Sequence, residues 1–276
     1  MSGAGLGLQL YSVRDVVDKD FLGTMKKVKA IGYDYAELAG LCGLSPERVK
    51  QLLDEADVRA VSAHVSYADL IRDPVNIIRD YAHIGCKYIV IPYLTEDMRP
   101  GHEGFIALVS SLPKLGGICN DNGVKLLYHN HGYEFARMPD GRYALDYLFE
   151  TVAPDLLQTE LDTCWIKVMG ESPVEYLKKY AGRCPVVHLK DFYLEGSLDG
   201  LFRLLGWAGE SPNGSRLDVH FEYRPLGFGM QSIPEIINAA SEAGAEFLIV
   251  EQDDSVGRSA LEAVQMSYNY LRTLLN

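Results

Sequence analysis

The sequence has little positive charge, and none of it is concentrated in one place. Its 38 acidic residues outnumber the 26 basic ones, which gives a net charge of −12, and no run of Lys or Arg is longer than two residues. Proteins bind nucleic acids chiefly by neutralising phosphates with Lys and Arg side chains. The charge balance therefore argues against a nucleic-acid partner.

Cysteines are few and scattered, and no two of them have the CxxC spacing. The five are Cys42, Cys86, Cys119, Cys164 and Cys184. An odd number of cysteines does not indicate a disulfide framework, and a chain of 276 residues does not need one to build a core. We expect reduced thiols and a cytoplasmic protein.

Long apolar stretches are also lacking. No segment approaches the roughly 18 apolar residues of a membrane-spanning helix, so we expect no membrane partner. The first residues, MSGAGLGLQLYSVRD, lack the basic segment and long apolar segment of a secretory signal. No GxGxxG follows the first apolar run, which disfavours an open dinucleotide-binding sheet.

Eight short apolar runs, each followed by a turn or an amphipathic stretch, recur along the chain. They cover residues 5–11, 33–38, 58–64, 87–93, 124–130, 157–162, 185–190 and 246–251. Apolar runs without alternation are typical of parallel strands buried on both faces. Gly85 and Gly244 precede two of the runs, where glycine lets the chain leave a helix. The repeat predicts one α/β domain over residues 1–276, a single (β/α)₈ TIM barrel.

Two helices have clear start signals, and one connection is unusually long. Ser45-Pro46 and Asp73-Pro74 each combine a capping residue with proline at the first helical position, which predicts helices over about 45–55 and 73–84. Residues 195–223 are rich in Gly, Ser and Pro. We expect an elaborated loop there, after the seventh strand, that overhangs the site.

Polar residues that can bind metals end most of the apolar runs. Asp162, His188 and Glu251 each end a different late run. Catalytic groups of a barrel lie at the carboxyl ends of its strands, where neighbouring short side chains can share one ion. A mixed set of imidazole and carboxylate donors suits Mn²⁺, Zn²⁺, Co²⁺ or Fe²⁺ better than Ca²⁺. We expect one divalent metal ion as the cofactor.

The chain resembles the xylose-isomerase-like barrel superfamily, which includes sugar-phosphate isomerases and epimerases, inosose dehydratase and endonuclease IV. The resemblance covers nearly the whole length, and the order and spacing of six short motifs carry it. They are LQLYSVR at 8–14, YHNH with Glu134-Phe135 at 128–135, LDT at 161–163, HLKD at 188–191, PLGFG at 225–229 and VEQ at 250–252.

The resemblance implies a metal held by a Glu after strand five, an Asp after strand six, a His after strand seven and a Glu after strand eight. Asp162, His188 and Glu251 match the last three positions, but the first falls on His129. We expect His129 to be the fourth ligand. Glu134, a few residues further on, is its rival if the turn lets it reach back.

The implied activity is that of an isomerase or epimerase of a monosaccharide, sugar phosphate or keto-sugar, with an enolate-type intermediate. Glu251 is the expected proton carrier, assisted by Glu134 or Lys190. The expected substrate contacts are His64, His131, Trp165, Gln9, Tyr11 and Glu37.

Two alternatives stay open, and one is disfavoured. Epimerases of this superfamily use facing glutamates after strands five and eight, and His129 breaks that pair, so an inosose dehydratase-like or 3-keto-glycoside lyase reaction fits as well. A non-catalytic sugar-binding barrel is the other alternative. An endonuclease is disfavoured, since Pro92 and Trp165 stand where further histidine ligands are expected. We expect a small sugar as the partner, with homo-oligomers an open possibility.

Overall fold

The computed structural model describes residues 3–204 and 219–275. Eight parallel strands close into a barrel in the order β1-β10-β7-β6-β5-β4-β3-β2. The barrel strands are β1 (Gly5–Gln9), β2 (Tyr35–Ala39), β3 (Arg59–His64), β4 (Tyr88–Ile91), β5 (Lys125–His129), β6 (Gln158–Asp162), β7 (Val186–Leu189) and β10 (Phe247–Val250). The predicted α/β barrel is thereby confirmed.

Helices connect the barrel strands and surround them. They are α1 (Arg14–Val17), α2 (Phe21–Ile31), α3 (Pro46–Ala56), α4 (Tyr67–Arg72), α5 (Pro74–Ile84), α6 (Glu103–Asp121), α7 (Ala144–Thr151), α8 (Thr163–Val168), α9 (Pro173–Lys179), α10 (Leu198–Leu204), α11 (Ile233–Glu242) and α12 (Ala260–Leu275). Short 3-10 helices cover Leu10–Val13, Glu96–Met98 and Tyr133–Phe135. No helix in the described parts of the chain is long and apolar enough to cross a bilayer.

The predicted helix starts are confirmed at α3 and α5. The hydroxyl of Ser45 accepts the N–H of Arg48, and the carboxylate of Asp73 accepts the N–H of Asn76. These bonds satisfy amide donors that have no partner inside the first turn. Each barrel strand falls within or beside its predicted run. The first run ends early, at Gln9, because the Gln9 side chain caps the 3-10 helix that begins at Leu10.

The long loop predicted over 195–223 is wrong at both ends. Strands β8 (Asp191–Gly196) and β9 (Val219–Arg224) form an antiparallel pair outside the barrel, and α10 begins the connection between them. The rest of the predicted loop, 205–218, lies outside the described residues. Phe192 and Phe221 pack with Trp165 of α8, so this pair is held by an apolar cluster of its own.

Two apolar regions hold the barrel together. The larger fills the space between the strands and the helices. The smaller fills the barrel interior and consists of Tyr35, Val61, Tyr88, Val90, Leu127, Val186, Phe247 and Ile249. Successive residues of a strand point alternately inward and outward. Towards the carboxyl ends of the barrel strands, the inward-facing residues change from apolar to charged or polar. The candidate functional groups therefore lie above the apolar interior of the barrel.

Candidate functional site

The ends of β5, β6, β7 and β10 bring four buried side chains together: His129, Asp162, His188 and Glu251. One ligand atom of each lies within 4.8 Å of the ligand atoms of the other three. The strand register explains this convergence. Asp162 pairs with His188 of β7, and His188 also pairs with Ile249 of β10, two residues before Glu251. The structure therefore brings together the four residues predicted as metal ligands.

Asp162 shows that this cluster fits a divalent cation. Its Oδ1 accepts the N–H of Cys164 at 2.8 Å and so caps α8. Its Oδ2 is buried and accepts no hydrogen bond, with Lys190 Nζ at 3.3 Å and His129 Nε2 at 3.6 Å. A buried carboxylate oxygen without a hydrogen bond is destabilising. A divalent ion would satisfy it, and the mixed imidazole and carboxylate donors suit Mn²⁺, Fe²⁺, Co²⁺ or Zn²⁺.

Glu251 is held as a carboxylate anion. Its Oε2 lies 2.9 Å from His188 Nδ1 and 3.1 Å from Lys190 Nζ. Burial alone would raise the pKa of Glu251, but the charges of Lys190 and His188 lower it well below its usual range. An anion of this kind is a good metal ligand, and its low pKa makes it a weak base.

Lys190 is fully buried and lies among three carboxylates. Its Nζ is 2.9 Å from Asp253, 3.1 Å from Glu251 and 3.3 Å from Asp162. Burial would lower the pKa of Lys190, but these carboxylates raise it well above its usual range. Lys190 is therefore a cation whose charge is already matched by its neighbours.

A cavity of about 680 Å³ opens above these side chains. Its size lies in the range of small-molecule sites. It is lined by Tyr11, Arg14, Ala39, Gly40, His64, Pro92, Tyr93, His129, His131, Trp165, Lys190, Tyr223, Glu251 and Asp253. Four of the six predicted substrate contacts, namely Tyr11, His64, His131 and Trp165, are in this lining.

The other two predicted contacts, Gln9 and Glu37, do not reach the cavity. Both are fully buried below it. Gln9 Nε2 donates to Glu37 Oε1 at 2.7 Å, and the hydroxyl of Ser62 donates to Glu37 Oε2 at 2.5 Å. These two side chains therefore hydrogen-bond to each other below the cavity instead of lining it.

Glu134 lies outside the lining of the cavity and outside the cluster of the four predicted metal ligands. Its Oε1 accepts the hydroxyl of Tyr128 at 2.6 Å, and its Oε2 accepts the N–H of His131 at 2.8 Å. The 3-10 turn Tyr133–Phe135 directs this carboxylate to the outward side of β5. The structure thus does not bring Glu134 to a position where it could serve as ligand or proton carrier, because both of its oxygens are used to hold the turn.

His131 lies on the β5 side of the cavity. Its ring stacks on Tyr133, and Trp165 lies 5.7 Å away, centroid to centroid. Burial lowers the pKa of His131 well below its usual range, and the nearby His129 adds to this effect. His131 is therefore a neutral imidazole that can hydrogen-bond a hydroxyl group.

His64 is the most exposed of three histidines that surround one buried carboxylate. Its Nε2 lies 2.7 Å from Glu160 and 3.1 Å from Glu37. Burial would lower the pKa of His64, but the two carboxylates raise it to about 10. His64 thus neutralises part of the negative charge below the cavity.

Sequence reasoning missed two carboxylates that the structure adds to the site. Glu160 precedes Asp162 by two residues on β6, and Asp253 follows Glu251 by two. Because residues two apart on a strand share a face, the alternation of β6 was a signal for Glu160. Asp253 lies in the loop after β10, where no periodicity applies. Tyr93 and Tyr223 were also missed as cavity walls.

Comparison with known proteins agrees with this architecture. The chain is 26% identical over 189 residues to the inosose dehydratase of Geobacillus kaustophilus (strain HTA426), and the match covers 60% of each chain. The chain thus spans less than two thirds of the length of this curated relative.

Solved structures share the fold at low sequence identity. A sugar phosphate isomerase/epimerase from Parabacteroides distasonis ATCC 8503 has a TM-score of 0.75 and 22% identity, with 99% of this chain and 94% of the other covered. The IOLI protein with a bound zinc atom has a TM-score of 0.72 and 18% identity, with 98% of both chains covered. A family model described as a xylose isomerase-like TIM barrel matches residues 25–274. The chain belongs to the xylose isomerase-like TIM barrel family.

Proposed function

We propose that this chain is a divalent-metal-dependent enzyme that removes water from an uncharged keto-inositol or keto-sugar through an enolate-type intermediate. The observation that carries the proposal is the convergence of His129, Asp162, His188 and Glu251 below a cavity of sugar size, with Asp162 Oδ2 buried and unbonded. The named activity of the inosose dehydratase relative supports the same chemistry.

His129, Asp162, His188 and Glu251 would hold the ion. When bound there, the ion would polarise a ketone and would stabilise the negative charge on its oxygen as a neighbouring C–H proton is removed. A zinc atom is bound in the IOLI protein, which has the same fold. The proposed cofactor is therefore one ion of Mn²⁺, Zn²⁺, Co²⁺ or Fe²⁺.

Asp253 is the proposed base for this proton. It lines the cavity, about a quarter of its side chain is exposed, and its carboxylate lies 2.9 Å from Lys190. Burial and the neighbouring Glu251 raise the pKa of Asp253, although Lys190 lowers it. Its raised pKa makes Asp253 a stronger base than Glu251, whose predicted role is then that of a ligand.

The placement of the acids favours elimination. Glu251 and Asp253 both follow β10 and lie on one wall, while the β5 side offers His129 and the neutral His131. In the proposed reaction Asp253 takes the proton from the carbon beside the ketone. The enolate electrons then form a C=C bond to the next carbon. The hydroxyl group on that carbon takes the same proton from Asp253 and leaves as water.

The charges around the cavity favour a substrate without phosphate. In the described chain, Lys190 and Arg14 are its lining cations apart from histidine. Lys190 is bound by three carboxylates, and Arg14 donates to the Tyr11 carbonyl and lies over the Tyr11 ring. The aromatic walls offer flat apolar faces suited to the C–H faces of a sugar ring.

Isomerisation of a keto-sugar is the second candidate. Asp253 and Lys190 lie in contact on one wall, so a proton taken from one carbon could be returned to the next on the same face. The reaction would then conserve the mass of the substrate, which separates it from elimination.

The test combines metal analysis with product analysis. Purified protein is expected to hold about one equivalent of a divalent ion and to convert a keto-inositol to a product lighter by one water. Asp162→Asn should lose both the metal and the activity, whereas Asp253→Asn should keep the metal and lose the activity. A product of unchanged mass would favour the isomerase, and loss of an aglycone from a 3-keto-glycoside would favour a lyase. Sugar binding without any bound metal would indicate the non-catalytic barrel.

A further inference from the structure

We infer that Glu160 is a positioning residue that fixes the ring orientation of the predicted metal ligand His129, and that the histidines around it do not form a second metal site. The inference rests on the proposed metal centre and deepens it. It starts from a second set of side chains below the first, which also meets the spacing of a metal site: His64, His129, Glu160 and His188.

One oxygen of Glu160 lies at the centre of this second set. Oε1 is 3.0 Å from His129 Nδ1, 3.0 Å from His188 Nε2 and 2.7 Å from His64 Nε2. Glu160 is fully buried, and its Oε2 accepts no hydrogen bond. In the described part of the chain, three histidine rings thus surround this carboxylate, which projects inward from β6.

His129 and His188 belong to both sets. Each ring turns one nitrogen to the lower set and its other nitrogen to the first set, which also contains Asp162 and Glu251. His129 turns Nδ1 to Glu160 and has Nε2 near Asp162, at 3.6 Å. His188 turns Nε2 to Glu37, at 2.7 Å, and to Glu160, at 3.0 Å, and has Nδ1 2.9 Å from Glu251. A ring N–H donated to a carboxylate, Glu160 for His129 and Glu37 for His188, leaves the lone pair of the other nitrogen for a metal, and a carboxylate partner also makes the imidazole a stronger ligand.

The same geometry excludes a second ion in the lower set. That ion would need His129 Nδ1, which donates to Glu160, and His188 Nε2, which donates to Glu37. A neutral imidazole has one lone pair for a metal and one N–H. Filling both sets would require both rings to lose a second proton and bridge two ions. The lower set is therefore the support of a single metal centre.

Glu160 and the neighbouring Glu37 divide this support between them. Glu37 Oε1 lies 2.7 Å from His188 Nε2, but it also accepts from Gln9 and its other oxygen accepts from Ser62. His188 thus has two carboxylate partners. In the described part of the chain, the bond from His129 Nδ1 goes to Glu160. Loss of the Glu160 charge should therefore act mainly on His129.

The experiment measures metal binding in Glu160→Gln against wild type, with Glu134→Gln as the matched control. Glu134 is equally buried but contacts neither predicted histidine ligand. Competition with a chromophoric chelator gives the dissociation constant and stoichiometry for Zn²⁺, and visible absorption of the Co²⁺ protein reports the ligand field. We expect one equivalent in all three proteins. We expect a dissociation constant raised about 10- to 100-fold, with a shifted Co²⁺ spectrum, in Glu160→Gln alone.

Two results would overturn the inference. Unchanged affinity and spectrum in Glu160→Gln would remove its positioning role while leaving the metal centre intact. Two equivalents in wild type and one in Glu160→Gln would make Glu160 a ligand of a second ion. Absence of any bound metal in wild type would instead defeat the proposed function, and this inference with it.

A second measurement does not depend on the stability of any variant. Long-range ¹H–¹⁵N correlation spectra of the Zn²⁺-loaded wild-type protein report which ring nitrogen of each histidine carries a proton. We expect His129 protonated at Nδ1 and His188 protonated at Nε2. The opposite tautomer at His129, or the absence of a proton from both of its nitrogens, would contradict the role assigned to Glu160.

Discussion

The carboxylate of Asp191 accepts a 3.0 Å hydrogen bond from the backbone N–H of Gly229, 38 residues further along the chain. The same oxygen accepts the N–H of Gly227, and the other oxygen accepts the N–H groups of Phe192 and Gln231. Two sequence motifs, HLKD at 188–191 and PLGFG at 225–229, are thus parts of one contact. Because Asp191 directly follows Lys190, this contact fixes the chain at the edge of the site.

Asp191→Asn should lower the free energy of unfolding by about 2–4 kcal/mol, because the amide NH₂ would face the N–H groups of Gly227 and Gly229 and leave them without an acceptor. Urea denaturation measures the change. Asp254→Asn is the control, since exposed Asp254 accepts one N–H, from Ser255, and its change should cost under about 1 kcal/mol. Equal effects of the two substitutions would contradict the anchoring role of Asp191.

Lys190→Met should lower the free energy of unfolding of the metal-free protein by about 3–5 kcal/mol. The substitution removes the lysine cation beside the buried carboxylate of Asp162 and one of the two cations beside that of Glu251. Lys26→Met removes an exposed pair with Glu55 and should cost no more than about 1 kcal/mol. Addition of Mn²⁺ should restore part of the loss in Lys190→Met, and a Lys190 variant as stable as the Lys26 variant would contradict the balance of charges described above.

Metal removal should lower the thermal stability. At a free ion concentration about 100-fold above the dissociation constant, binding stabilises the folded state by about 2.7 kcal/mol, which corresponds to roughly 5–10 °C in Tm for a chain of this size. Asp162→Asn should show no such shift, because it loses the free Oδ2 while the amide oxygen can still accept the N–H of Cys164. Differential scanning calorimetry with Mn²⁺ or with chelator measures both proteins, and a shift retained in Asp162→Asn would remove this residue from the ligand set.

Glu134 should make stability depend on pH. Burial raises the pKa of Glu134 to about 7, although bonds from Tyr128 and the His131 N–H lower it. The folded state then binds a proton that the unfolded state has released, so the free energy of unfolding falls as pH rises from about 4.5 to about 7 and is level above that. The fall should amount to about 3 kcal/mol, at about 1.4 kcal/mol for each pKa unit.

Glu134→Gln is the comparison that isolates this effect. Glutamine is neutral at every pH and has the shape of the protonated acid. The difference in urea stability between wild type and the variant should therefore change by about 3 kcal/mol between pH 4.5 and pH 8, in favour of the variant at high pH. A constant difference over this range would show that Glu134 does not titrate there.

The sequence by itself determined the class of fold and the chemistry of the strand ends. Eight apolar runs without alternation, separated by segments with helix signals, are local features, and each run became a barrel strand. Asp162, His188 and Glu251 could be selected because barrel strands present their carboxyl ends on one face. That these residues bind metal stays a prediction.

The tertiary structure decided which of the candidate residues meet. Glu134 and His129 are close in sequence, yet a single 3-10 turn sends Glu134 to the outward side of β5, while His129 stays inside the barrel. The β8–β9 pair was missed because its strands are joined by a long segment and each is stabilised by the other. Pairing partners of this kind are not encoded by local periodicity.

The roles of Glu160 and Asp253 depend on the tertiary structure for the same reason. Barrel closure and strand register place Glu160 Oε1 among three histidines from three other strands, and bring Asp253 within 2.9 Å of Lys190. Alternation along a strand fixes the face on which a side chain lies. The distance from that side chain to a group on another strand is set by register and packing across the barrel, which join residues far apart in the chain.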